Sequence, residues 1–186
     1  MSPRCPTPET LARPACDHWT PPGTAGYGRP MHDDTTTDPA VPLAMDLFNQ
    51  TWDLLDRSDR SPDDDLAMLG RALGSWTLWR RVDDPRRHAI SDWQVSRVFA
   101  ELGDAGWAQR YAAAGLTRCR DHGLGPFLEA YALESEARAA HVAEDTLRRD
   151  AAVAASREIA ARIEDPDERQ LVLDDLDDLR SRRPPG

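Results

Sequence analysis

The chain has 186 residues, of which 40% are hydrophobic and 30% charged, and a formal net charge of −10. That length fits one domain with some to spare, and the acidity argues against broad nucleic-acid binding, because phosphate contacts need a basic footprint. All 23 basic residues are arginine, so no chemistry that needs a lysine amine is available, neither a Schiff base nor a phosphate-loop lysine.

The opening stretch, "MSPRCPTPETLARPACDHWTPPGTAGYGRP", is rich in Pro, Gly and Thr and carries no apolar period. Such a segment cannot bury enough surface to offset its ordering entropy, so residues 1–40 are predicted to be disordered. Met31 begins "MHDDTTTDPAVPLAMDLFNQTWDLL" and is read as the true start of translation. On that reading Cys5, Cys16 and His18 have no role. The opening also lacks the apolar core of a signal peptide. The cysteine count of three is odd, and the spacings match no zinc ribbon. The expectation is a reducing, cytoplasmic setting. No apolar run reaches the ~18 residues of a membrane-spanning helix.

From about Pro42 the pattern turns helical. The first predicted helix carries Phe48, Trp52 and Leu55 on one face. Ser61-Pro62 supplies an N-cap and a first-turn proline, and Asp63, Asp64 and Asp65 follow against the positive helix end. Three consecutive helical residues point in different directions, so the aspartates read as a cap and not as a metal site. The second helix is predicted to reach about Arg81 with a stripe of Leu66, Leu69, Leu73, Trp76 and Trp79. "VDDP" breaks it.

A third helix, from about Pro85 to Leu102, places Val95, Val98, Phe99 and Leu102 together. After Gly103, Asp104 caps a fourth with Ala108, Tyr111, Ala112, Gly115, Leu116 and Cys119, which stops at His122-Gly123. A fifth follows Pro126 through Phe127, Leu128, Tyr131 and Ala132. A sixth spans Thr146 to Glu164 with Ala152, Ala155, Ile159 and Ile163. Asp165-Pro166 opens a seventh through Val172, Leu176 and Leu179. Residues 182–186 are expected to fray. No window shows the alternation of a strand, so the expected fold is all-α, about seven helices over residues 41–181.

Val95, Ser96, Phe99, Gly103-Asp104, Ala108, Tyr111, Gly115 and Leu116 resemble the tetratricopeptide repeat. In that family small residues let two antiparallel helices approach and aromatics fill the holes between them. Here Gly115 stands where the family has alanine. A weaker copy about forty residues on has Ala137, Glu144-Asp145 and Ser156, with Arg149 where alanine is expected and no turn glycine. The resemblance covers about 25 residues and is to small repeat proteins of GC-rich, actinobacterial-type bacteria. It implies an antiparallel helix-hairpin stack, a tetratricopeptide-like α-solenoid.

A helical stack presents a concave wall of the kind that holds a peptide or protein. The leading expectation is therefore a non-enzymatic interaction module with an unidentified protein partner. Asp92, Arg97, Glu101 and Glu134 are its candidate wall residues, because they lie off the apolar stripes and no cap explains them. The rival is a small-molecule binder or enzyme with an aromatic pocket formed by Trp76, Trp79 and Trp93, from a cluster that also holds Trp107, in which Arg80 or Arg97 pairs with an anion. No catalytic residue, metal or cofactor is assigned. Cys119 and His122 make only half a zinc site, and "DDLDDL" lacks the glycine and spacing of a calcium loop.

Overall fold

The computed structural model describes residues 38–181, so the expectations for the opening segment, Met31 and the frayed tail lie outside the described residues. The described chain is all-helical and contains no strand. Its helices are α1 (Ala40–Leu55), α2 (Pro62–Trp79), α3 (Pro85–Glu101), α4 (Ala105–Asp121), α5 (Pro126–Val142), α6 (Thr146–Ala160) and α7 (Pro166–Ser181).

The helix starts follow from short polar side chains. Ser61 and Asp64 form a reciprocal capping box, with the Ser61 Oγ accepting from the Asp64 backbone N–H and Asp64 accepting from the Ser61 N–H. Asp84, Asp104 and Asp145 each accept from the backbone N–H three residues on, at 3.0–3.1 Å. Asp165 accepts from the N–H groups of Asp167 and Glu168. Each bond satisfies a donor that the first helical turn leaves open.

The turns between α3 and α4 and between α5 and α6 share one geometry. The Asp104 N–H donates to the Phe99 carbonyl and the Asp145 N–H to that of Ala140, both at 2.9 Å. The preceding residue is left-handed in both, with φ 79° at Gly103 and 56° at Glu144. Glycine takes that conformation freely, and glutamate does so against a steric penalty. The weaker sequence copy thus keeps the turn while losing the turn residue.

Consecutive helices pack as hairpins, α1 with α2, α3 with α4 and α5 with α6. Each hairpin carries one buried serine-to-carbonyl bond of 2.8 Å across its crossing: Ser75 to Ala44, Ser96 to Ala108 and Ser156 to Ala130. The three accepting alanines are fully buried. A small residue on each side lets the backbones come close enough for a side chain to reach the neighbouring main chain. Gly115 serves the same approach, since a Cβ there would stand 3.5 Å from the Asp92 Cβ.

The first helices of the pairs also touch one another, α1 on α3, α3 on α5 and α5 on α7. The backbones of α2 and α4 do not come together, and α3 floors the space between them. At the far end α7 buries the predicted stripe of Val172, Leu176 and Leu179 completely, each contributing about 1.5–3 kcal/mol. The stripe predicted for α2 holds in part: Trp79 is buried and Leu69, Leu73 and Trp76 pack half-buried against the core, but Leu66 is 69% exposed. Met68, Ala72 and Ser75 are the other buried residues of the helix, and the small ones sit at the close crossing.

Candidate functional site

Asp92 is the centre of the site, and the structure corrects its placement. Expected on an open wall, it is 1% exposed. Its Oδ1 accepts from the Trp76 Nε1–H at 2.7 Å and from the Arg80 guanidinium. Its Oδ2 accepts from the Arg118 Nε–H at 3.1 Å. One carboxylate from α3 therefore ties the end of α2 to α4. A charge this deep needs such partners, because an unpaired buried carboxylate is heavily penalised.

These partners line an open hollow of about 600 Å³ between α2 and α4. Trp76 and Arg80 come from the α2 side, and His88 and Asp92 from α3. Trp107, Arg110, Tyr111, Ala114 and Arg118 come from α4. The Arg80 guanidinium lies 4.4 Å from the centre of the Trp76 ring, and that of Arg110 lies 5.0 Å from the Trp107 ring. Trp76 meets Tyr111 edge-on at 5.8 Å, and Tyr111 stacks on Phe99, which stacks on Trp107. The result is a continuous aromatic wall beneath two cations.

The electrostatics are one-sided. Three guanidinium groups face one carboxylate, an excess of two positive charges in a chain of net charge −10. Among the described residues Arg110 makes no ion pair, and Arg118 spends only its Nε–H on Asp92. Burial depresses the Arg80 pKa; Asp92 opposes that shift and the neighbouring Arg118 charge adds to it. Burial raises the Tyr111 phenol, with the Asp92 charge adding to the rise. His88 Nε2 sits 2.8 Å from the carbonyls of both Trp79 and Val82, so that nitrogen carries the proton and donates.

The remaining predicted residues divide between other places. Glu134 is fully buried and accepts from Arg138 Nε at 2.8 Å, with Arg97 Nη1 at 3.9 Å. It too is removed from the expected open wall. Arg97 keeps 12% of its side chain exposed, while Glu101 pairs with Arg60 at 3.3 Å at the α3 end. The structure thus brings Arg97 and Glu134 together and separates both from Asp92. Burial, aided by Glu134, raises the Asp175 pKa against the pull of Arg97 and Arg138, and Asp175 bonds Tyr131.

The three tryptophans expected in one pocket lie in three places. Trp76 lines the pocket. Trp79 is buried with Val41, Ala44 and Val82 beneath the Arg87 guanidinium. Trp93 faces away from Asp92 and continues a ring ladder from Trp52 at 5.3 Å to Tyr131 at 5.2 Å. Trp107 takes their place in the pocket. The signal for this was the spacing of Trp107, Arg110, Tyr111, Ala114 and Arg118, three or four residues apart along α4, which puts them on one face.

Among the described residues no group of three His, Cys, Asp or Glu side chains converges as metal ligands, and no helix is long and apolar enough to cross a membrane. Cys119 is buried, and desolvation pushes its thiol up to about 12, so it carries no thiolate at neutral pH. By architecture the described chain is a helix-hairpin stack. No family model matches it, and neither the curated proteins nor the solved structures contain a match.

Proposed function

We propose that the protein is a binding protein that takes a small anionic ligand in the pocket between α2 and α4, without covalent chemistry. One observation carries this reading: Arg80, Arg110 and Arg118 converge over Trp76, Trp107 and Tyr111 in a chain of net charge −10. The volume of about 600 Å³ suits a small molecule. Arginines beside aromatic faces supply charge, planar hydrogen bonding and an apolar contact at once.

Binding is favoured because the groups at hand are engaged in holding the pocket together: Asp92 accepts from three donors, and the His88 Nε2–H is held by two carbonyls. The peptide-binding wall takes second place, since Asp92 and Glu134 are occupied inside the stack. The tetratricopeptide-like reading stays part of the proposal, supported by the two matching turns and the serine-to-carbonyl bonds at the crossings.

The test is a titration of the full chain's tryptophan emission with small aromatic carboxylates and phosphates. A saturable change that weakens in Arg118→Gln, with the helical circular dichroism intact, supports the pocket. A flat response to every member of the series overturns it.

A further inference from the structure

The ligand class can be read from charge and spacing, an inference that rests on the pocket reading above. Arg110, Ala114 and Arg118 recur every four residues on α4, and all three line the pocket. At 1.5 Å per residue the two arginines stand about 12 Å apart along the helix, with Ala114 about 6 Å from each. Ala114 is exposed, so its methyl leaves an open saddle between two cations. Arg110 has no ion-pair partner among the described residues, and Arg118 has both terminal nitrogens uncommitted.

We propose that this saddle is a dianion cradle and that the ligand is a phosphomonoester borne on a flat ring. The phosphoryl group sits over Ala114 between Arg110 and Arg118, and the ring lies against the Trp76–Tyr111–Trp107 wall. The pocket's excess is two positive charges, and a phosphomonoester carries about −1.5 to −2 at neutral pH, so it neutralises the site where a lone carboxylate leaves it half charged. Guanidinium forks match phosphate oxygens in pairs. Trp107, 47% exposed, supplies apolar surface beside Arg110 that a bare inorganic anion cannot use.

Calorimetric titration of the full chain tests this with phenyl phosphate, phenylacetate and inorganic phosphate. Phenyl phosphate should bind about tenfold or more tighter than either of the others, the size of step that 1.4 kcal/mol represents. Arg110→Gln and Ala114→Glu should each weaken it by about tenfold or more. Both positions are exposed, and the carboxylate introduced at 114 lies four residues from each arginine, where it favours the helix. Folding is therefore preserved and the comparison stays readable.

Equal binding of phenylacetate and phenyl phosphate overturns the dianion assignment and leaves the anion pocket standing. Phenyl phosphate binding unchanged in both variants overturns the cradle. No heat from any probe removes the pocket and the cradle together. Adenosine monophosphate and O-phosphotyrosine, run alongside, separate a nucleotide-borne from a tyrosine-borne phosphate. Affinity of either comparable to phenyl phosphate supports the class, and failure of both overturns it.

Discussion

Removing the Asp92 carboxylate should be the most costly single truncation at the pocket. Asp92→Ala leaves the Trp76 indole N–H and two guanidinium groups without their shared acceptor. Breaking one side of a fully buried ion pair costs about 3–5 kcal/mol. Arg80 and Arg118 retain 23% and 28% of their side-chain exposure, so water can replace part of what they lose, and the expected cost falls to about 2–3 kcal/mol. Asp92→Asn keeps the shape and one acceptor and should cost about half as much. For a domain of this size the alanine variant should melt about 4–12 °C lower. Urea unfolding followed by circular dichroism gives the free energy, and tryptophan emission reports the freed Trp76 indole. A loss under about 0.5 kcal/mol for Asp92→Ala, the range of an ordinary surface change, would show that Asp92 does not hold the three donors together.

Three further outcomes are expected. Glu144→Gly should stabilise the α5–α6 turn by up to about 1 kcal/mol, because glycine takes φ 56° without the penalty glutamate bears; a loss in urea midpoint would contradict the left-handed assignment. Ala108→Leu should cost about 1–3 kcal/mol, since the site is fully buried at the α3–α4 crossing; a neutral result in the same assay would mean the two helices do not meet there. Burial and Glu134 raise the Asp175 pKa, so the folded state favours its proton. That contribution is present below the ordinary carboxylate range and is lost as pH rises through the raised value. Asp175→Asn should therefore gain thermal stability over the parent as pH increases, and a gap that shrinks from acid to neutral pH would contradict the assignment.

Local chemistry made the helices legible, and distance hid the site. Ser61, Asp104 and Asp165 announce helix starts because capping needs only three or four consecutive residues. Val172, Leu176 and Leu179 announce a buried stripe because the partner surface can be any apolar one. Within α2 Leu66 misled: it outranks Ser75 in hydrophobicity, yet it is exposed, while Ser75 occupies the close crossing and reaches the Ala44 carbonyl. Asp92 looked like a surface residue because its partners, Arg80 and Arg118, lie 12 and 26 residues away and nothing local pairs with it. Glu134 was misread in the same way, although there a local mark existed, since its partner Arg138 stands one helical turn on.

The most direct test of the anion pocket is the indole N–H spectrum of the full chain, with each tryptophan assigned by its Trp→Phe variant, during titration with phenyl phosphate. Saturable shifts of the Trp76 and Trp107 resonances are expected, while Trp52, Trp79 and Trp93 stay in place. Trp93 is the informative control: its indole nitrogen is buried without a hydrogen-bond partner on the opposite side of α3. Shifts confined to Trp52 and Trp93 would place the ligand on that other face and contradict the proposed pocket.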